Sequence, residues 1–341
     1  MVIHNSLISV RILMFLTCHQ AWNPVLSKTE SNNAFIAPTF SLSFLHPKFW
    51  LTWLTISTLY LLSWLPYKLQ LAMGRLIGRL LMKVLKRRKN IAIRNLQLCF
   101  PNMSAAEINK LVKINFENAG IALFESGISW WWPSWRAKPI CHVKGTEHID
   151  DALQQGKGIF LLFFHILPLE MMARVLGEAG YPCVGFYRPH NNKLLEWVQY
   201  RGRCRSNRYM IGKRDVKGLL KALSNGEVTV YLPDHDYGPN RSVFAPFFDV
   251  EQAATTTGTE IFARHKNAVT IPTKLKRLPN NGGYEIEFLP ALTDYPSEDS
   301  LENAKMINKW VEEAVLDNME QYMWVHRRFK TRPEDAPESL Y

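Results

Sequence analysis

The sequence predicts an α/β fold: a mixed, largely parallel sheet flanked by helices, preceded by an N-terminal membrane-anchoring helix. Three observations carry this. Apolar runs at 159–164, 183–187, 228–232, 269–273 and 284–289 alternate with helix candidates at 168–180, 192–206, 214–225, 254–267 and 300–320, the alternation from which parallel sheets are built. Asn280-Asn281-Gly282-Gly283 separates the last two runs, so the sheet ends in an antiparallel hairpin. Phe49 to Tyr67 contains no charged residue and carries Trp50, Trp53 and Trp64.

From the N-terminus, residues 1–43 are expected to form a poorly ordered extension. Leu7 to Leu16 is apolar but broken by Arg11, and a signal-like segment is the other reading. Residues 44–68 form the anchor. The stretch from Phe49 to Tyr67 would span roughly 28 Å as a helix, close to a hydrocarbon core. Thr52, Thr55, Ser57, Thr58 and Ser63 dilute its apolarity, and Pro66 ends it. It either crosses the membrane once or lies within one leaflet; a single crossing is the expectation. Arg75, Arg79, Lys83, Lys86, Arg87, Arg88 and Lys89 follow, which by the positive-inside rule keeps the rest of the chain cytoplasmic. Residues 69–135 are thus a basic, helical region. Ser104 and Glu107 form a capping box opening a helix through about Trp130. Trp130-Trp131-Trp132-Pro133-Ser134-Trp135 ends it, as core packing or as a membrane-contacting belt. Residues 136–333 make the α/β core, and 334–341 a loose tail.

The chain is 47% hydrophobic and 21% charged, so its bulk is folded rather than disordered. A formal charge of +11 calls for anionic partners, and the tryptophans favour a membrane surface over nucleic acid, for which no motif is present. The five cysteines are scattered with no CxxC pair, which excludes a disulfide scaffold and zinc-ribbon spacing.

In such sheets, sites gather at the carboxyl ends of strands. Strand 159–164 delivers His165-Ile166-Leu167-Pro168-Leu169-Glu170; strand 183–187 delivers Arg188; strand 228–232 delivers Asp234-His235-Asp236. Across a strand–loop–helix corner Glu170 can reach His165, hold one ring nitrogen and free the other as a general base. The alternative is a helix-capping glutamate beside a strand-end histidine. Arg188 either clamps a phosphate or pairs with Asp234 or Asp236. Asp234, His235 and Asp236 rarely all face one ion, since neighbours in an extended segment alternate sides, so no metal and no cofactor are expected. Arg201, Arg203, Arg205 and Arg208 form a basic run, either a partner-receiving surface or a solvated face. Arg327, Arg328, Lys330 and Arg332, with Trp324 and Phe329 interleaved, pose the same choice, with headgroup or phosphate contact favoured. No Gly-x-Ser-x-Gly elbow exists for a serine acyl-enzyme.

These residues resemble the lipid A late acyltransferases, the lauroyl/myristoyl transferases of lipopolysaccharide assembly. The stretches that carry the resemblance are Leu45 to Trp53, Arg94 to Pro101, His165 to Glu170, Tyr187-Arg188-Pro189, Pro233 to Pro239, Ala253 to Thr259 and Gln321 to Pro333, covering about residues 44 to 333. The likeness is greatest to the lauroyl-transferring branch. The resemblance implies a glycerolipid-acyltransferase-like core at the cell inner membrane. It implies acyl carrier protein as donor and a hydroxyacyl chain of Kdo2-lipid IVA as acceptor, with His165 and Glu170 as the catalytic pair. It places Arg188, Asn192, Asp234, Asp236, Arg327 and Arg328 toward substrate. Asn192-Lys193 stands where relatives often have Asn-Pro, so the loop after Arg188 departs from the pattern. A membrane-bound thioesterase or lipid hydrolase using His165 with water is the alternative function.

Overall fold

A computed structural model describes residues 37–336 and 338–341. The strands are β1 (Cys141–Lys144), β2 (Gly158–Leu162), β3 (Cys183–Tyr187), β4 (Tyr209–Gly212), β5 (Val228–Tyr231), β6 (Ser242–Phe247), β7 (Val250–Thr256), β8 (Ala268–Arg277) and β9 (Tyr284–Phe288). Seven form one sheet in the order β1-β9-β8-β2-β5-β3-β4, and β6 pairs with β7 in a separate hairpin. Every neighbour in the large sheet is parallel except β8 and β9. β2 lies at the centre because its residues are buried on both faces, as a continuous apolar run requires in a parallel sheet.

The helices are α1 (Trp50–Ser63), α2 (Tyr67–Val84), α3 (Lys86–Cys99), α4 (Ala105–Trp131), α5 (Ser134–Ala137), α6 (Glu147–Gln154), α7 (Leu169–Glu178), α8 (Lys193–Cys204), α9 (Val216–Ser224), α10 (Gly258–Ala263) and α11 (Ser300–Leu316). The capping box at Ser104 and Glu107 opens α4 as the sequence predicts. The turn at 280–283 also forms, with Asn280, Asn281 and Gly283 at positive φ. Gly283 is required there, since a Cβ would sit 2.3 Å from the Ile140 carbonyl oxygen.

Several expectations need correction. The helix candidate 254–267 is half strand: 254–256 end β7 and only Gly258–Ala263 is helical, because the β-branched run Thr255-Thr256-Thr257 suits an extended chain better. β1 and β4 have four residues each, too few to announce themselves by alternation. The segment 49–67 is not one helix, and among the described residues no helix is long and apolar enough to cross a membrane. α1 has 14 residues, about 21 Å at the helical rise. Its last carbonyls, the groups a helix end leaves unpaired, are claimed by the body of the protein. Ser63 O accepts from Trp132 Nε1 at 2.5 Å and Gln70 Nε2 at 2.8 Å, and Leu65 O accepts from Arg136 at 2.6 Å. Pro66 then turns the chain into α2. Trp130, Trp131 and Trp132 are core residues, while Trp135 is 74% exposed.

The tail is not loose at its tip. The Tyr341 hydroxyl accepts from Phe329 N at 3.0 Å and donates to Asn95, while Arg94 Nε donates to Leu340 O at 2.7 Å. Of the N-terminal extension, residues 1–36 lie outside the described residues, but Leu42–Leu45 is a 3-10 turn whose Phe44 is buried against Trp197 and Phe49.

α2 and α4 pack at backbone distance. A Cβ at Gly78 would lie 2.1 Å from Phe116 O, and one at Gly120 would lie 2.1 Å from Gly74 O. These neighbours are main chain, so they cannot rotate away. Gly120→Ala should therefore push α2 off α4 and lower unfolding stability by about 1–3 kcal/mol, the usual cost of overpacking, measured by urea denaturation. A stability equal to that of the native chain would contradict this packing.

Candidate active site

Parallel register brings the site together. Leu162 of β2 pairs with Tyr231 of β5. His165 and Asp234 each stand three residues beyond that pair, so the two loops set them side by side. A third segment closes over them: Ile166 bridges Tyr322, Leu167 N donates to Gln321 O at 2.8 Å, and Met323 N donates to His165 O at 3.1 Å.

The Asp234 carboxylate has 0% of its side chain exposed and receives donors from two directions. His165 contributes its backbone N at 3.1 and 3.0 Å and its ring Nδ1 at 2.8 Å; Tyr322 contributes its hydroxyl at 3.0 Å. Burial alone would raise the Asp234 carboxyl, but the charge and hydrogen bonds of His165 outweigh it and hold the carboxyl well below the usual carboxylate range. An ionised Asp234 fixes the proton on Nδ1. Nε2 is then the basic nitrogen, and it makes no hydrogen bond among the described residues. The His165 side chain is 17% exposed, so that nitrogen can be reached.

Glu170 does not face His165. Its carboxylate is held by the Arg203 guanidinium, through Nε at 3.1 and 3.2 Å and through NH2, and by Trp130 Nε1 at 2.9 Å. The reason lies in the corner itself: Glu170 enters α7 on the side packed against α4 and α8, where Arg203 waits. Burial works against the Arg203 charge, yet Glu170 prevails and raises the guanidinium's pKa. The carboxylate that contacts the His165 ring is Asp234 rather than the expected Glu170.

The other expected residues divide. Asp236 turns away from Asp234 to bind Thr331 N at 2.6 Å, Thr331 Oγ1 at 2.7 Å and Gly238 N at 2.9 Å. It thereby anchors the closing segment. Arg188 is exposed at the end of β3 and pairs with neither Asp234 nor Asp236. Asn192 is a helix cap, accepting from Leu194 N and Leu195 N at 3.1 Å, and its amide donates to Thr52 of α1 at 2.8 Å. Arg328 is buried and donates to Ala254 O at 2.6 Å, which removes it from any headgroup. Arg327 lies over the Tyr341 ring at 5.0 Å. In the basic run, Arg203 stands in the last turn of α8 and holds Glu170, and Arg208 lies 3.3 Å from Glu227.

Three contacts escaped the sequence reading. Tyr322 reaches Asp234 from 88 residues away. His235 stacks on His165, with ring centroids 3.2 Å apart and planes at 7°, and His326 stacks on His235 at 3.8 Å and 14°. His165, Asp234 and His235 offer ligand atoms within 4.8 Å of one another. Two rings stacked in near-parallel planes nevertheless keep their in-plane lone pairs in separate planes, so both cannot point at one ion.

The chain is similar over most of its length to known acyltransferases. Residues 37–331 match the family described as bacterial lipid A biosynthesis acyltransferase. The chain is 48% identical to the lipid A biosynthesis lauroyltransferase of Escherichia coli (strain K12) over 300 residues, 88% of this chain and 98% of the relative. It is 42% identical to the palmitoleoyltransferase of the same organism, covering 89% and 98%. It is 26% identical to the myristoyltransferase of that organism, covering 89% and 94%.

The depressed Asp234 carboxyl makes a pH-dependent prediction. An unfolded aspartate titrates near about 3.9, above the folded value, so the unfolded chain binds protons first as the medium is acidified. The stabilisation is complete above that range and is lost as pH falls through it toward the folded value. Urea unfolding should show Asp234→Asn less stable than the native chain at pH 7, with the gap narrowing below about pH 4. A gap of constant size would contradict the ionised, His165-paired carboxylate.

Proposed function

Because this chain belongs to the bacterial lipid A biosynthesis acyltransferase family and is an O-acyltransferase, we propose that His165 is its general base and that Asp234 orients it. In this reading the chain moves a lauroyl group from acyl carrier protein to a hydroxyacyl chain of Kdo2-lipid IVA. The observation that carries the reading is the 2.8 Å contact between His165 Nδ1 and a wholly buried Asp234, which leaves Nε2 free at a strand end. Lauroyl is favoured because the relative named for lauroyl transfer is 48% identical and the one named for palmitoleoyl transfer 42%.

A thioester is already activated, so the acceptor hydroxyl needs a positioned base rather than an enzyme nucleophile. Nε2 takes the hydroxyl proton as the oxygen attacks the thioester carbonyl. Asp234 stabilises the imidazolium. The tetrahedral adduct expels the carrier thiolate, the C–S bond breaks, and the imidazolium returns its proton to sulfur. No acyl group rests on the protein. Such a base supplies about 10²–10⁴ in rate; proximity supplies much of the remainder. Arg188, exposed at the end of β3 and making no ion pair among the described residues, is the cation best placed for a lipid phosphate. Glu170 and Arg203 brace the first turn of α7 behind the base.

The N-terminal helices suit a monotopic attachment to the cytoplasmic side of the inner membrane. Trp50, Leu51, Leu54, Leu61 and Trp64 of and beside α1 are exposed, as are Leu69, Leu76, Leu80 and Val84 of α2. No Asp or Glu stands between Glu30 and Glu107, a stretch that carries Arg75, Arg79, Lys83, Lys86 and Arg87. Arg79 is paired with Glu117 at 2.7 Å; apolar surface interleaved with the other cations is what an interfacial helix presents to anionic lipid.

His165→Ala should abolish acyl transfer from lauroyl-acyl carrier protein to Kdo2-lipid IVA while leaving vesicle binding unchanged, and Asp234→Asn should lower kcat by about 10²–10⁴. Full activity in His165→Ala would remove the base. Release of free laurate at one rate with or without acceptor would instead favour the thioesterase. Leu51→Glu with Leu54→Glu should detach the protein from anionic vesicles at high salt; unchanged cosedimentation would contradict attachment through α1.

A further inference from the structure

The mechanism above uses one imidazole, yet three are stacked at this site. His165 lies in the loop after β2, His235 in the loop after β5, and His326 in the closing segment. Their centroids are 3.2 and 3.8 Å apart, with planes at 7° and 14°. His235 is thus clamped on both faces. Its Nε2 is buried and has no hydrogen-bond partner, and the same holds for His326. A buried polar nitrogen without a partner carries a free-energy cost, so the ring is held here by its faces rather than by its nitrogens. The floor of the stack is rigid: Asn95 of α3 donates to Trp324 O at 2.6 Å and to His326 O at 2.7 Å.

Resting on the reading of His165 as base, we propose that His235 is a positioning residue for acyl transfer. Its flat ring, wedged between His165 and His326, fixes the plane of the base and gives the imidazolium an uncharged face.

The hydrogen bond from Nδ1 to Asp234 leaves the His165 ring free to swing about that contact. A ring lying flat against it removes this freedom, and Nε2 then points one way. The titratable and charged groups facing His235 are His165 and Asp234 from the strand-end loops and His326 and Arg328 from the closing segment, with Asp236 beyond His326. Burial first, then the neighbouring His165, His326 and Arg328, push the His235 imidazole down to about 2 against the opposing pull of Asp234. The ring therefore remains neutral at any working pH and does not repel the proton that His165 accepts. A neutral π-face beside a cation is mildly attractive instead.

The test compares His235→Phe, His235→Leu and His165→Ala in the full-length protein, with lauroyl-acyl carrier protein and Kdo2-lipid IVA as substrates. Phenylalanine keeps a flat neutral face; leucine fills comparable space without one. His235→Phe should keep kcat within about threefold of the native value. His235→Leu should lose about 10- to 100-fold in kcat with KM little changed, the signature of a misaligned base rather than weakened binding. The acid limb of the pH–rate profile should keep its midpoint in His235→Phe. Equal kcat in His235→Leu and the native enzyme, or an equal loss in Phe and Leu, would overturn the proposal. An active His165→Ala would strike the base itself, a separate failure. Thermal melts of both His235 variants identify any loss due to unfolding; His326→Leu, which removes the outer clamp, then decides by the same kcat criterion.

Discussion

The structure of this site depends on one buried negative charge. Asp234 has no solvent, so its charge is tolerable only because donors from two segments converge on it. Those donors come from the loop after β2 and from the segment at 322. Removing either leaves the buried carboxylate with fewer hydrogen bonds than its charge requires. The same contact therefore welds three distant stretches of chain and dictates which nitrogen of His165 carries the proton. Two amides secure the far side: Asn95 of α3, and Asn115 of α4, which donates to Glu320 O at 3.0 Å and Tyr322 O at 2.8 Å.

α4 ties this chemistry to the exposed apolar surface of α1 and α2. Near its carboxyl end Trp130 donates to Glu170 beside the base, and Trp132 donates to the last turn of α1. Along its middle, glycine contacts bring α2 within backbone reach. A single long helix thus connects the elements proposed to lie in the lipid surface with the corner that carries His165. Under the proposed function, the acceptor chain and the thioester would then meet at a protein whose site and proposed attachment surface share one helix.

Much of this was legible in the amino-acid order, and the exceptions have physical reasons. The five apolar runs became strands because burial on both faces leaves no other use for them, and the capping box named the start of α4. His165 and Asp234 were visible as strand-end residues. Their pairing was not, because it follows from register between β2 and β5, which no local pattern encodes. Glu170 was read as the partner of His165 because sequence nearness stood in for direction; Arg203, 33 residues on, competes for it and wins. The 49–67 stretch looked long enough to span a membrane because hydropathy does not see that Trp132, Gln70 and Arg136 would cap it early. His235 and His326 were invisible as a stack, since only the closed fold brings 235 and 326 together.

The central claim is that Asp234, and not Glu170, sets the tautomer of His165. Two-bond proton–nitrogen correlation spectra of ¹⁵N-histidine-labelled protein report that tautomer directly. The account requires His165 to be protonated on Nδ1 in the native protein and in Glu170→Gln, and to lose that preference in Asp234→Asn. A native His165 protonated on Nε2, or a tautomer that responds to Glu170→Gln and ignores Asp234→Asn, would contradict it.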